Sequence, residues 1–143
     1  MAGPPVGSQT TDYRGNRKLL VVSIALGVGA LHFLTGPGYR GPFAVFVNGY
    51  MIDILLPFAM YLVLGVADQA LLRSDIARGI LVFGTGAVTE TLQYFGVPIF
   101  GQTFDLLDYP MFAIGIGLAV VFERVVLSRM SAGDPSRPDN GAR

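Results

Sequence analysis

Residues 14–35 read RGNRKLLVVSIALGVGALHFLT. A basic cluster of Arg14, Arg17 and Lys18 runs straight into an uncharged apolar stretch from Leu19 to about Thr35. A basic start before an apolar core is also the pattern of a secretory signal, whose core spans roughly 7–15 residues and ends in a small-residue cleavage site. Here the run is longer and no such site stands out before Gly36, so it reads as a helix long enough to cross a bilayer.

Outward from that stretch the same pattern recurs. The Gly- and Pro-rich segment from Gly36 to Pro42 ends the first helix, because Pro removes amide donors and Gly favours turns. A second apolar span begins between Phe43 and Asn48 and runs to about Ala67. It is followed by the charged turn Asp68 to Ala77, a third span from Arg78 to Phe95 and a loop from Gly96 to Leu107 without a basic residue. A fourth span runs from about Asp108 to Leu127. The predicted fold is therefore all-α, an integral membrane bundle of four transmembrane helices. Helices are the expected spanning element, since a lone lipid-facing strand leaves its backbone groups unsatisfied. Residues 1–18 read as a disordered basic N-terminal tail, 19–128 as the transmembrane domain and 129–143 as a disordered polar C-terminal tail.

Charge placement gives the orientation. Of the ten Lys and Arg residues, only Arg40 falls in the loops after the first and third spans; the others lie before the first span, in the central turn or at the C-terminal end. That side is expected to be cytoplasmic, with both termini on it. The composition agrees with a membrane protein, at 52% apolar and 14% charged residues, against about 25% charged in soluble domains. Zero formal net charge and the lack of a basic patch argue against nucleic acid as a partner. The chain has no Cys, which excludes disulfides and thiolate metal sites, and a single His offers no metal set. No cofactor is implied. Small residues within the spans, Ala25 and Gly29, Gly84 and Gly86, Ala113 and Gly117, suit close helix packing.

Ionisable groups inside a bilayer are costly, and three stand out: His32, Asp53 and Glu90. At about 1.5 Å per residue, Glu90 lies about 7–8 Å below the outer end of its helix, Asp53 at a similar depth, and His32 about 5 Å down. All three are expected in one outer layer. Gln93 shares a face with Glu90, and Gly86 one turn below leaves room there for a helix or a ligand. Asp105 and Asp108 stand at the mouth of the fourth span. Asp108, followed by Tyr109 and Pro110, is also well placed to N-cap that helix. Pro57 cannot donate to the carbonyl of Asp53. The candidate pocket therefore comprises Glu90, Gln93, Asp105, Asp108, Asp53 and His32. The bland alternative for His32 is a hydrogen-bonded packing residue.

The stretch from Thr89 to Gly117, TETLQYFGVPIFGQTFDLLDYPMFAIGIG, resembles the signature region of the VanZ-like family. The matching residues are Glu90, Gln93, Phe104, Asp105, Asp108 and Gly115, and the segment from Tyr50 to Leu62 is similar to the Asp-containing second helix of a related group. Family members usually carry Arg where Gln102 stands and Asn where Phe112 stands. The resemblance implies a multi-pass protein of the bacterial cell (inner) membrane, in a family whose founding member is linked to glycopeptide (teicoplanin) resistance.

The leading functional expectation is a non-enzymatic protein with an outward-facing acidic pocket. It would bind a membrane lipid or envelope glycolipid, a cationic antibiotic, or a hydrated divalent ion held by carboxylate oxygens. The alternatives are an enzyme acting on a lipid-linked substrate, for which no nucleophile motif is visible, and a cation- or proton-coupled carrier. The carrier ranks lower because no ionisable residue is read in the inner half of any span. An assembly subunit with a homo-oligomeric or membrane-protein partner is a further alternative.

Overall fold

The computed structural model describes residues 7–35, 38–97 and 105–129, with side chains from Arg14 onward. Every regular element among these is helical. Helix α1 spans Gly7–Leu34, α2 Ala44–Gly49, α3 Met51–Gly65, α4 Asp75–Tyr94 and α5 Asp108–Phe122. A 3₁₀ turn, Ala70–Arg73, joins α3 to α4, and α5 continues through a π-helical turn, Glu123–Leu127. Two segments are long and apolar enough to cross a membrane, Arg14–Leu34 and Asp108–Leu127.

The element boundaries differ from the sequence reading in three places. Helix α1 already begins at Gly7, within the expected disordered tail 1–18; extending an existing helix costs far less than starting one, so the apolar segment carries the polar residues before it. The expected second span is divided at Tyr50, whose φ of −126° interrupts the helix between α2 and α3. The α3 portion has 15 residues, or about 22 Å, and continues unbroken through the buried Pro57. Helix α4 starts at Asp75 rather than Arg78, because the Ser74 hydroxyl accepts the Ala77 amide at 3.4 Å and caps it. The C-terminal tail beyond Arg129 lies outside the described residues.

Helix α3 is the hub, packing against α1, α2, α4 and α5, with α4 and α5 also in contact. Its closest approach is to α5. Gly115 lies so near the Ile54 carbonyl oxygen that a Cβ at that position would overlap it deeply. This is the use expected of a small residue in a helix interface. The core is Val21, Tyr61, Leu62, Val82, Ala119 and Leu127, drawn from all four long helices and the π turn. Large apolar side chains such as Leu26, Phe33, Ile80, Val88 and Val121 face outward.

Candidate functional site

Helix α3 carries Asp53 in its first turn, α4 carries Glu90 one turn from its finish, and α5 begins with Asp108. The α3–α5 contact at Ile54 and Gly115 holds these ends together. The Asp108 carboxyl comes within hydrogen-bonding range of the carboxyls of both Asp53 and Glu90, and the Asp105 backbone amide reaches Glu90. The Asp105 charge is felt by all three. Glu90 and Asp108 are buried, at 5% and 8% exposure, and Asp53 is half-buried. The Glu90 Oε2 atom is sealed from solvent with no hydrogen-bond partner among the described residues. No Lys, Arg or His is among the groups acting on these three acids. Acidic groups from three helices and the segment entering α5 thus share one site without a countercharge among the described residues.

Asp108 does not cap α5. Leu107 holds the N-cap position without a side-chain bond, and Asp108 stands in the first helical turn. The turn into α5 is made by Asp105 instead, whose Oδ1 accepts the Leu107 amide at 2.9 Å and whose carbonyl accepts the Asp108 amide at 3.1 Å. The Asp105 side chain thereby does the local work expected of Asp108, and the Asp108 carboxyl is turned toward Asp53 and Glu90. The room expected beside Gly86 is filled by Phe112, whose ring carbons would lie 2.7 Å from a Cβ at Gly86. Phe112 is one turn beyond Asp108 and buried, so it forms an apolar floor beneath the acids. Tyr109 packs on Phe83 and Phe112, and its hydroxyl lies 3.5 Å from Thr91 Oγ1.

Two candidates stand differently. Gln93 is half-buried one turn beyond Glu90 on α4. His32 is exposed on α1, edge-on to Phe33, and is not brought to the acids. Gln102 and Phe104 lie outside the described residues. No group of three or more His, Asp or Glu among the described residues is arranged to hold a metal ion.

The opposite end of the bundle holds a second polar cluster that the sequence reading passed over. Glu123 pairs with Arg17 at 2.6 Å and with Arg78 at 2.9 Å. Arg78 also pairs with Asp75 at 2.5 Å, and Arg124 with Asp75 at 3.3 Å. The Arg78 guanidinium sits 4.5 Å above the Tyr61 ring and is 4% exposed, a desolvated cation–π contact. Arg17 also approaches the Gly65 carbonyl at 3.5 Å. This corrects the expectation that the inner half of every span lacks ionisable residues, since Glu123 lies within Asp108–Leu127. An acid inside an otherwise apolar run is the signal that could have found it. Burial pushes the Asp75 carboxyl up, but hydrogen bonds and charge from Arg78 and Arg124 outweigh it and hold Asp75 below the usual carboxylate range. The ion pairs join α1, α4 and the α5 extension at one end, while the acids converge at the other.

No family model, curated protein or solved structure matches the chain.

Proposed function

We propose that the chain is a VanZ-like, non-enzymatic protein of the bacterial inner membrane, crossing it four times with both termini cytoplasmic. In this reading α2 and α3 together make the second crossing and α4, from Arg78 onward, the third. The polar ends support it: the basic residues Arg17, Arg78 and Arg124 gather at one end, as the positive-inside rule requires of a cytoplasmic face. The outward-facing large apolar side chains suit contact with lipid.

The function we infer is binding, at the outer face, of a cationic or hydroxyl-rich group carried by an envelope lipid, glycolipid or antibiotic. The single observation that carries it is the convergence of Asp53, Glu90 and Asp108 from three helices with no basic partner among the described residues. Intramembrane acids that face a bundle interior and lack a structural partner are the usual mark of a ligand or ion site. A catalytic reading has less behind it, since no Ser, Lys or His among the described residues joins the three acids as a nucleophile or base.

Orientation is tested by adding single cysteines to the Cys-free chain. An impermeant thiol reagent applied to intact cells should label Gln102→Cys and spare Ser74→Cys; the reverse pattern refutes the topology. The link to resistance is tested by teicoplanin susceptibility of cells expressing the chain. Protection lost in Glu90→Gln supports the reading, and equal protection by both chains removes Glu90 from it.

A further inference from the structure

This inference rests on the acidic-pocket reading and names what fills the pocket. The Asp108 carboxyl lies within hydrogen-bonding range of Asp53 on one helix and Glu90 on another, with Asp105 alongside. Like charges so placed oppose each other unless a proton or a cation lies between them. A second observation makes the same point from one atom. Glu90 is 95% buried, and its Oε2 has no donor among the described residues, a state that buried polar atoms rarely keep.

The chemistry of the missing donor follows from the geometry. A bare divalent ion gathers six or more oxygens in Ca²⁺ sites or demands an octahedron in Mg²⁺ sites, and no group of three or more acids among the described residues is set for a metal. A guanidinium presents a flat fork suited to one carboxylate at a time. A quaternary ammonium brings charge but no N–H. A primary ammonium carries three N–H donors around one compact charge, and here the Asp108 carboxyl is within hydrogen-bonding range of both Asp53 and Glu90. Around the same end of the bundle the exposed residues are apolar or aromatic: Phe43, Phe46, Tyr94, Phe95, Leu106 and Leu107. A ligand bearing only the ammonium would leave that rim unused, whereas one with a hydrocarbon portion covers it.

We propose that Asp53, Glu90 and Asp108 bind the primary ammonium group of an amphiphile reaching them from the outer leaflet. The full chain is tested in nanodiscs of phosphatidylcholine, which has no primary amine, by calorimetric titration with dodecylamine, dodecyltrimethylammonium, butylamine and Ca²⁺. Binding is corrected for partition into empty discs. Dodecylamine should bind at least about tenfold more tightly than dodecyltrimethylammonium, the order of effect expected for lost hydrogen bonds to a charged group. Glu90→Gln and Asp108→Asn should each weaken it by a similar factor. Asp68→Asn, at an exposed ion pair with Lys18, should leave it unchanged. Helical content by circular dichroism checks each variant, and Asp53→Asn replaces any that does not fold. Butylamine binding as tightly as dodecylamine overturns the amphiphile and leaves the ammonium. Equal binding of the trimethylated probe, or tight binding of Ca²⁺ alone, lost in Glu90→Gln in either case, overturns the ammonium while the acidic pocket stands. If no cation shows binding that depends on Glu90 or Asp108, both readings fail.

Discussion

Gly115→Ala puts one methyl group where α3 and α5 meet. The new Cβ would overlap the Ile54 carbonyl oxygen, with the Ile54 carbonyl carbon at 3.1 Å and its Cα at 3.3 Å. These are backbone atoms and cannot turn aside as a side-chain tip can, so the two helices must separate. Overpacking of this kind costs about 1–3 kcal/mol and occasionally more; rigid backbone on the other side places this case at the upper end, about 3 kcal/mol. Replacing a helical Gly by Ala returns about 1 kcal/mol in helix propensity. The net loss is therefore about 2 kcal/mol. Gly117→Ala is the matched control, since nothing lies within 4 Å of its Cβ, and it should be neutral or gain up to about 1 kcal/mol. The expected gap between the two variants is about 3 kcal/mol, read from unfolding in mixed detergent followed by circular dichroism. Ile54 adjoins Asp53, so the same variant should also weaken ligand binding at the acids. Equal stabilities for Gly115→Ala and Gly117→Ala would refute the close α3–α5 approach on which the site's geometry depends.

Other outcomes follow from the same structure. Glu123→Gln removes the carboxylate shared by Arg17 and Arg78. It should cost about 3 kcal/mol, the low end for breaking a buried pair, because Asp75 still meets Arg78; a loss below about 0.5 kcal/mol in detergent unfolding would mean that the cluster is structurally idle. Phe112→Ala empties a site 6% exposed beneath the acids and should cost about 3–5 kcal/mol by the same unfolding measurement. The Asp75 carboxyl is held below its unfolded value by Arg78 and Arg124, so its contribution is fully present above about pH 4 and is lost as pH falls through the lower folded value. A thermal-stability profile from pH 6 to pH 2.5 should therefore fall less steeply at its acid end for Asp75→Asn than for the parent chain, and parallel profiles would count against the pairing.

Much of the helix order was readable because apolar run length and Gly–Pro breaks are local properties of a chain. The break at Tyr50 did have a local mark, the Asn48–Gly49 pair just before it, which favours a turn but was outweighed by the long apolar run around it. The start of α1 at Gly7 was missed for a related reason: polar composition argues for solvation, while propagation from an existing helix is cooperative. At the site, Asp53 and Glu90 were legible from their isolation in apolar surroundings and their shared depth, and Asp108 from its place at the mouth of the fourth span. Their partners were not, because contact across helices depends on rotation about each axis, which a single Cβ-sized gap at Gly115 sets. His32 illustrates this: equal depth put it with the acids, but α1 packs chiefly on α3 and turns that residue outward. Asp105 and Asp108 exchanged expected roles because either can serve the same turn, and only the backbone shows which one does. The Glu123 cluster was hidden by its nearness to the helix end, where an acid reads as solvated.

The central claim, an acidic pocket open to the outer face, is tested most directly by charge-selective labelling of Asp53→Cys in the otherwise Cys-free chain. Methanethiosulfonate reagents carrying either a trimethylammonium or a sulfonate group are applied to intact cells, and the two reaction rates are compared with those on inverted vesicles. Glu90, Asp105 and Asp108 should draw the cationic reagent in from outside at least about tenfold faster than the anionic one, a preference of about 1.4 kcal/mol. Adding Glu90→Gln should reduce that preference, and high salt should weaken it. Reaction from the cytoplasmic side alone, or equal rates for the two reagents from outside, would contradict the pocket.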